Sequence, residues 1–209
     1  MRRYGPYLAI SAAAAAVIAA GLLIFWPYST TVVLVVRHAE RNDSAACPAP
    51  QASCPLPTSG STANPPLASA GETRRDELAH VVEHTGIQAI YASCFCRTQQ
   101  TVATVATNLS LTTTLLSQHA ADGTTDVTAL VEQINTTHVG QKVLVAGHQS
   151  TVKQLILDLG GGTIDDIEGW EFDNLYVVTI NRGWWRWWGW KWGKRVRVVR
   201  LKYGVESTP

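Results

Sequence analysis

Charge is what this chain has least of. Only 16% of its 209 residues are Asp, Glu, Lys or Arg, against 46% hydrophobic, and the formal net charge is +1. The length admits one sizeable globular core with an accessory segment. The neutral total conceals an uneven distribution: residues 1–181 carry nine Lys or Arg against fifteen Asp or Glu, and residues 182–209 carry eight against one. An acidic body therefore adjoins a basic tail.

Between Leu8 and Trp26 charge is missing altogether. With Tyr7 this makes an uncharged run of 20 residues closed by Pro27. At about 1.5 Å per residue such a run crosses the roughly 30 Å hydrocarbon layer of a bilayer. Residues 1–28 are thus expected to be a cytoplasmic tail and single-pass transmembrane anchor. Arg2 and Arg3 stay inside, which places residues 29–209 in the periplasm or outside the cell. Tyr7, Trp26 and Tyr28 stand where interfacial aromatics sit. A cleaved secretory signal is the rival, because small-x-small triplets recur among Ala12–Gly21. The run continues through Leu22, Leu23, Ile24, Phe25 and Trp26, beyond any such site, which favours the anchor. Either reading exports the domain.

The four cysteines lack the spacing of a zinc knuckle and have no neighbouring histidine in sequence, so neither a metal site nor a cofactor is expected. An even count in an oxidising compartment implies disulfides. Cys47 and Cys54 share one loop and can close on each other, or each can pair with Cys94 or Cys96. That loop, from Asn42 to Pro66, has no aromatic residue and is rich in Pro, Ser and Ala, which excludes a packed element.

What remains alternates strand with helix. Thr30–Val36 is a β-branched run without polar alternation, the pattern of a strand buried on both faces. Gly71–His84 and Arg97–Asn108 are expected as helices, and Ala89–Ala92 and Thr112–Leu116 as short strands. Asp126 is an N-cap for a helix over Val127–Thr137. Lys142–Ala146 is a second central strand, followed by a helix from about Thr151 to Leu159 that the three glycines 160–162 stop. Tyr176–Ile180 and Arg195–Tyr203 read as two closing strands. The expected fold is a three-layer α/β/α sandwich with a mainly parallel sheet. In such folds ligands bind at the carboxyl ends of strands.

His38 and His148 both fall at strand ends, with Arg37, Arg41 and Arg97 near them. Guanidinium forks and helix N-termini suit a phosphate dianion. A neutral imidazole among them can attack phosphorus and form a covalent intermediate. An arginine in the first turn of a helix opposes the helix dipole, so Arg97 calls for an anionic partner. Arg74 and Arg75 are read as solvated, Asp173 and Asn174 as turn residues. His80, His84, His119 and His138 are assigned to surface or core.

Four blocks in order, RHAER at 37–41, PPLASAG at 65–71, YASCFCRTQQT at 91–101 and VAGHQSTV at 145–152, resemble the histidine phosphatase superfamily of phosphoglycerate mutase-like fold. The resemblance implies that His38 is the phosphorylated nucleophile of a phosphoric monoester hydrolase. Arg37, Arg97 and His148 would complete the phosphate pocket, and Arg41 would add a contact. The family acid comes from a loop that here reads SQHAADGTTD, which points to Asp122. Glu40, two residues from the nucleophile, is the alternative. Ala39 stands where the family more often has glycine, and no long substrate-capping segment is evident.

Between the closing strands, residues 181–194 hold six of the eight tryptophans, with Arg182, Arg186, Lys191 and Lys194 interleaved. Indole and basic groups together suit an anionic bilayer interface, so Trp184–Trp192 is expected at the membrane surface. A β-ribbon whose tryptophans stack on a partner is the rival, and nucleic acid is not expected as a partner of an exported domain. The leading function is an exported phosphatase for a phosphorylated small molecule or protein. A catalytically silent phosphate-binding or membrane-scaffolding protein of the same fold is the alternative. A phosphohistidine protein phosphatase is disfavoured because its substrates are mainly cytosolic.

Overall fold

The computed structural model describes residues 29–47, 64–116, 126–186 and 190–208, with the side chains of 184–186 and 190–192 left out. The anchor run, Cys54, His119, Asp122 and the tip of the tryptophan hairpin lie outside the described residues. Among the described residues no helix is long and apolar enough to cross a membrane.

The chain runs β1 (Ser29–Arg37), α1 (Ser69–Val82), β2 (Ala89–Ser93), α2 (Cys96–Leu109), β3 (Thr113–Leu116), α3 (Thr128–Thr136), β4 (Lys142–Gly147), α4 (Gln149–Ile156), a π-helical turn (Leu157–Gly161), β5 (Asn174–Arg186) and β6 (Trp190–Lys202). The strands form one sheet in the order β3-β2-β4-β1-β5-β6. The first four are mutually parallel, and β5 and β6 close the sheet in antiparallel fashion. Val33, Leu34, Val35 and Val36 of β1 are at most 5% exposed, as expected of a strand covered on both faces. Each such side chain contributes roughly 1.5–3 kcal/mol on burial.

Alternation along the strands divides the core. Val33, Val35, Val143, Val145, Tyr176 and Val178 pack with α3 and α4, while Leu34, Val36, Leu144, Ala146 and Leu175 pack with α1 and α2. The three-layer expectation therefore stands. Boundaries shift by a residue or two, with α1 opening at Ser69 and α4 at Gln149. Asp126 is not the N-cap residue of α3, which is Val127, but its Oδ1 still accepts the N–H of Thr128 at 2.8 Å. The closing strands run far longer than the apolar pattern implied, because the ladder continues through Trp184↔Trp192 to Arg186↔Trp190.

Register positions the site. Arg37 of β1 lies opposite Gly147 of β4, and Ala92 of β2 opposite Ala146. Three parallel strands thus end at one edge, delivering His38, His148 and the loop to Arg97 to the same place. Two glycines permit the close approaches there. A Cβ on Gly71 would stand 2.2 Å from the carbonyl oxygen of Glu40, and one on Gly147 would meet the Thr151 side chain at 2.8 Å.

Candidate active site

His38 is 3% exposed, and its backbone N–H donates to the Gly147 carbonyl at 2.9 Å, tying β1 to β4 beyond the last ladder pair. Its Nδ1 lies 2.7 Å from the Ala39 carbonyl oxygen. A carbonyl only accepts, so Nδ1 carries the proton and Nε2 keeps its lone pair. Burial pushes the imidazole pKa down to about 2, with His148, Arg97 and Arg37 adding to the effect and the Ala39 bond opposing it. The ring is therefore neutral throughout the physiological range. Ala39 is fully buried, and its N–H donates to Thr101 Oγ1 at 2.9 Å.

His148 precedes α4 as its N-cap residue. Its ring stands edge-on to His38, with centroids 5.4 Å apart, and its Nε2 lies 3.0 Å from Ser93 Oγ. The Ser93 hydroxyl lies 2.8 Å from that of Thr98. Phe95 packs edge-on to His148 at 4.8 Å and supports the Arg97 guanidinium at 4.4 Å. Phe172 does the same for Arg37, 4.3 Å away, and touches His38. Such cation–π planks fix the planes of both forks.

Arg37 and Arg97 are each 8% exposed. Burial, followed by the Arg41 charge, lowers both to about 10, so both stay cationic at neutral pH. Arg37 Nη1 donates to the carbonyls of Glu168 and Glu171. Arg37 Nε, Arg97 Nε and Arg97 Nη1 are buried with no hydrogen-bond partner among the described residues. Those donors suit the oxygens of a tetrahedral dianion. Arg41 stands at the rim, paired with Asp43 at 2.8 Å, its side chain 47% exposed.

One expectation is corrected. Arg74 is not solvated: it is 4% exposed, and its fork grips Glu40 at 2.7–3.0 Å while Nη1 donates to the Tyr203 carbonyl. Glu40 is thereby engaged as a structural anion. Of the cysteine pairings left open, the structure has Cys47 bonded to Cys96. Cys94 is also disulfide-bonded. The loop is thus tied to the first residue of α2, directly before Arg97.

Asp173 and Asn174 are 1% exposed, and Asp173 accepts from Lys202 and Ser207 rather than serving a solvent-facing turn. His138 is a core residue between Tyr91 and Gln141, and His80 and His84 are exposed beside Glu83. Sequence reading overlooked Phe95 and Phe172. Phe95 carried a signal, standing between two cysteines just before Arg97, whereas Phe172 comes from a segment distant in sequence.

Residues 33–119 match the family described as histidine phosphatase superfamily (branch 1). No curated protein matches the chain by sequence. Among solved structures, a mycobacterial hydrolase, "Mycobacterial hydrolase 2", superposes with a TM-score of 0.52 at 11% identity, covering 86% of this chain and 94% of its own. An Escherichia coli K-12 protein assigned as an alpha-ribazole-5'-P phosphatase gives 0.51 at 15% identity, covering 84% and 99%. A Nakamurella multipartitia protein assigned as phosphohistidine phosphatase SixA gives 0.50 at 13%, covering 84% and 98%. At these identities the structures speak to the fold. The segment matched by the histidine phosphatase superfamily model, residues 33–119, carries His38, Arg41 and Arg97 and lies within that fold.

Proposed function

We propose that the domain hydrolyses phosphomonoesters through a phosphohistidine on His38, outside the membrane to which residues 8–26 anchor it. The observation that carries this reading is the His38 tautomer: a buried neutral ring whose Nδ1 proton is held by the Ala39 carbonyl, leaving Nε2 to attack. The phosphoryl oxygens would lie on Arg37, Arg97 and His148, with Arg41 at the rim. Nε2 forms a bond to phosphorus as the ester P–O bond breaks, and the leaving oxygen takes a proton from an acid. With Glu40 held by Arg74, Asp122 is the acid of choice. Water then attacks the phosphohistidine, the P–N bond breaks, and inorganic phosphate leaves with His38 restored.

Export is supported by the disulfide chemistry, since Cys47, Cys94 and Cys96 are all bonded and such bonds persist in oxidising compartments. The tryptophan hairpin, Trp184–Trp192, is read as contacting the same membrane. The test is release of p-nitrophenol from p-nitrophenyl phosphate by the full chain in neutral detergent. Wild type should turn over and His38→Ala should lose at least about 10³-fold. Equal inactivity of both proteins across pH and across varied phosphomonoesters would refute an enzyme.

A further inference from the structure

Arg182 and Lys194 face each other across the β5–β6 ladder and converge on one neutral atom. Asn135 Oδ1, near the end of α3, accepts from Arg182 Nη2 at 2.7 Å and from Lys194 Nζ at 3.2 Å. Asn135 is fixed in that orientation because its Nδ2 donates to the Val131 carbonyl at 2.8 Å. Arg182 Nη1 is pinned at 2.9 Å by the hydroxyl of the fully buried Thr31. No carboxylate among the described residues pairs with either cation. Burial depresses the pKa of both, and the Arg182 charge depresses Lys194 further. Two like charges held together with spare N–H donors and, among the described residues, no counter-charge form an oxyanion cradle.

Its place in the fold indicates which anion. Arg182 pairs with Ser29, the first residue of β1, whereas His38 follows the last. At about 3.3 Å per residue the two ends of β1 are roughly 30 Å apart, so this cradle is separate from the candidate active site. Only Pro27 and Tyr28 lie between Ser29 and Trp26, the end of the uncharged run. Three residues span at most about 11 Å, which keeps Ser29, and with it Arg182, at headgroup depth once that run is in a bilayer. The backbone ladder continues from this pair, and Trp184 pairs with Trp192 two positions further along the hairpin.

We propose that Arg182 and Lys194, with Asn135 between them, form a second anion site that holds the phosphate of an anionic phospholipid beside the point where the chain leaves the membrane. The site rests on the anchor reading and is independent of the catalytic one. It orients the domain with its candidate active site directed away from the bilayer.

The full-length chain, wild type and Arg182→Gln/Lys194→Gln, is reconstituted in phosphatidylcholine vesicles with and without phosphatidylglycerol, and tryptophan emission is followed. Wild type should show a saturable change with phosphatidylglycerol and none with phosphatidylcholine alone. The double variant should lose that change while keeping the circular dichroism and p-nitrophenyl phosphate turnover of wild type. The same response in the variant, or equal responses to the two lipids, overturns the site. Saturation by inorganic phosphate, but not by chloride at matched ionic strength, assigns it to a free oxyanion and overturns the lipid. Release of both proteins by alkaline carbonate refutes the anchor and the lipid assignment with it; retention with identical responses refutes the site alone.

Discussion

Replacing Cys47 and Cys96 together by serine should destabilise the domain and disturb Arg97. The bond links residues 49 apart in sequence. Loop-closure entropy for that span alone is about 14 cal/mol/K, or about 4 kcal/mol at 25 °C, an upper bound because the second bond at Cys94 still restrains the unfolded chain within the same span. With a urea dependence of about 2 kcal/mol per molar, typical for this size, the midpoint should fall by at most about 2 M. The local effect is separate. Cys96 opens α2, its N–H donates to Asn64 Oδ1 at 2.7 Å, and the next residue is Arg97, whose guanidinium leans on Phe95. Untying the loop frees the Arg41–Asp43 pair from its place near both pocket arginines. Activity of the folded variant on p-nitrophenyl phosphate should therefore fall even without denaturant. Urea unfolding followed by circular dichroism in neutral detergent reads the first effect, and kcat/KM the second. A midpoint within about 0.5 M of wild type together with unchanged kcat/KM would show that the loop is held by other contacts.

Two further outcomes follow from the same edge of the sheet. In the fold His38 stays neutral down to about pH 2, whereas in the unfolded chain it takes up a proton near 6.5. The unfolded state binds the extra proton between those values, so this contribution is complete above about pH 6.5 and is lost as pH falls, with a slope of about 1.4 kcal/mol per unit; urea midpoints of His38→Gln between about pH 4 and 7 should fall less steeply than wild type. The Arg74–Glu40 pair, with side chains 5% and 22% exposed, should be worth about 2–3 kcal/mol in a double-mutant cycle of Arg74→Met and Glu40→Gln, at the low end for buried pairs because Glu40 keeps some water; a coupling near zero by urea unfolding would contradict that.

What the sequence made legible was governed by local rules. β1 announced itself through consecutive β-branched residues, and His38 and His148 through their place after two such runs. Parallel register then brought them together, which no single segment states. Arg74 was misread because adjacent Arg74 and Arg75 look like a solvated helix face. Its burial depends on Glu40, 34 residues away, and on the Tyr203 carbonyl, 129 away. The disulfide partner of Cys47 was undecided for the same reason. The hairpin was underestimated because tryptophan and arginine break the apolar alternation, although backbone pairing carries on through them.

The physics of the candidate pocket has a single origin. At the carboxyl ends of β1, β2 and β4, Phe95 and Phe172 pack against the site groups, and desolvation acts in opposite senses on the groups found there. It keeps His38 neutral, yet leaves Arg37 and Arg97 charged because their ordinary pKa lies so far above neutrality that a fall to about 10 does not discharge them. The result is a neutral ring beside two poorly solvated cations, with three buried guanidinium nitrogens lacking protein acceptors among the described residues. A buried donor without a partner costs about 1–3 kcal/mol, so a phosphate that supplies acceptors to these groups relieves a penalty already present in the fold. Affinity for an anion and neutrality of the His38 ring therefore depend on the same exclusion of water, and opening this edge would weaken both.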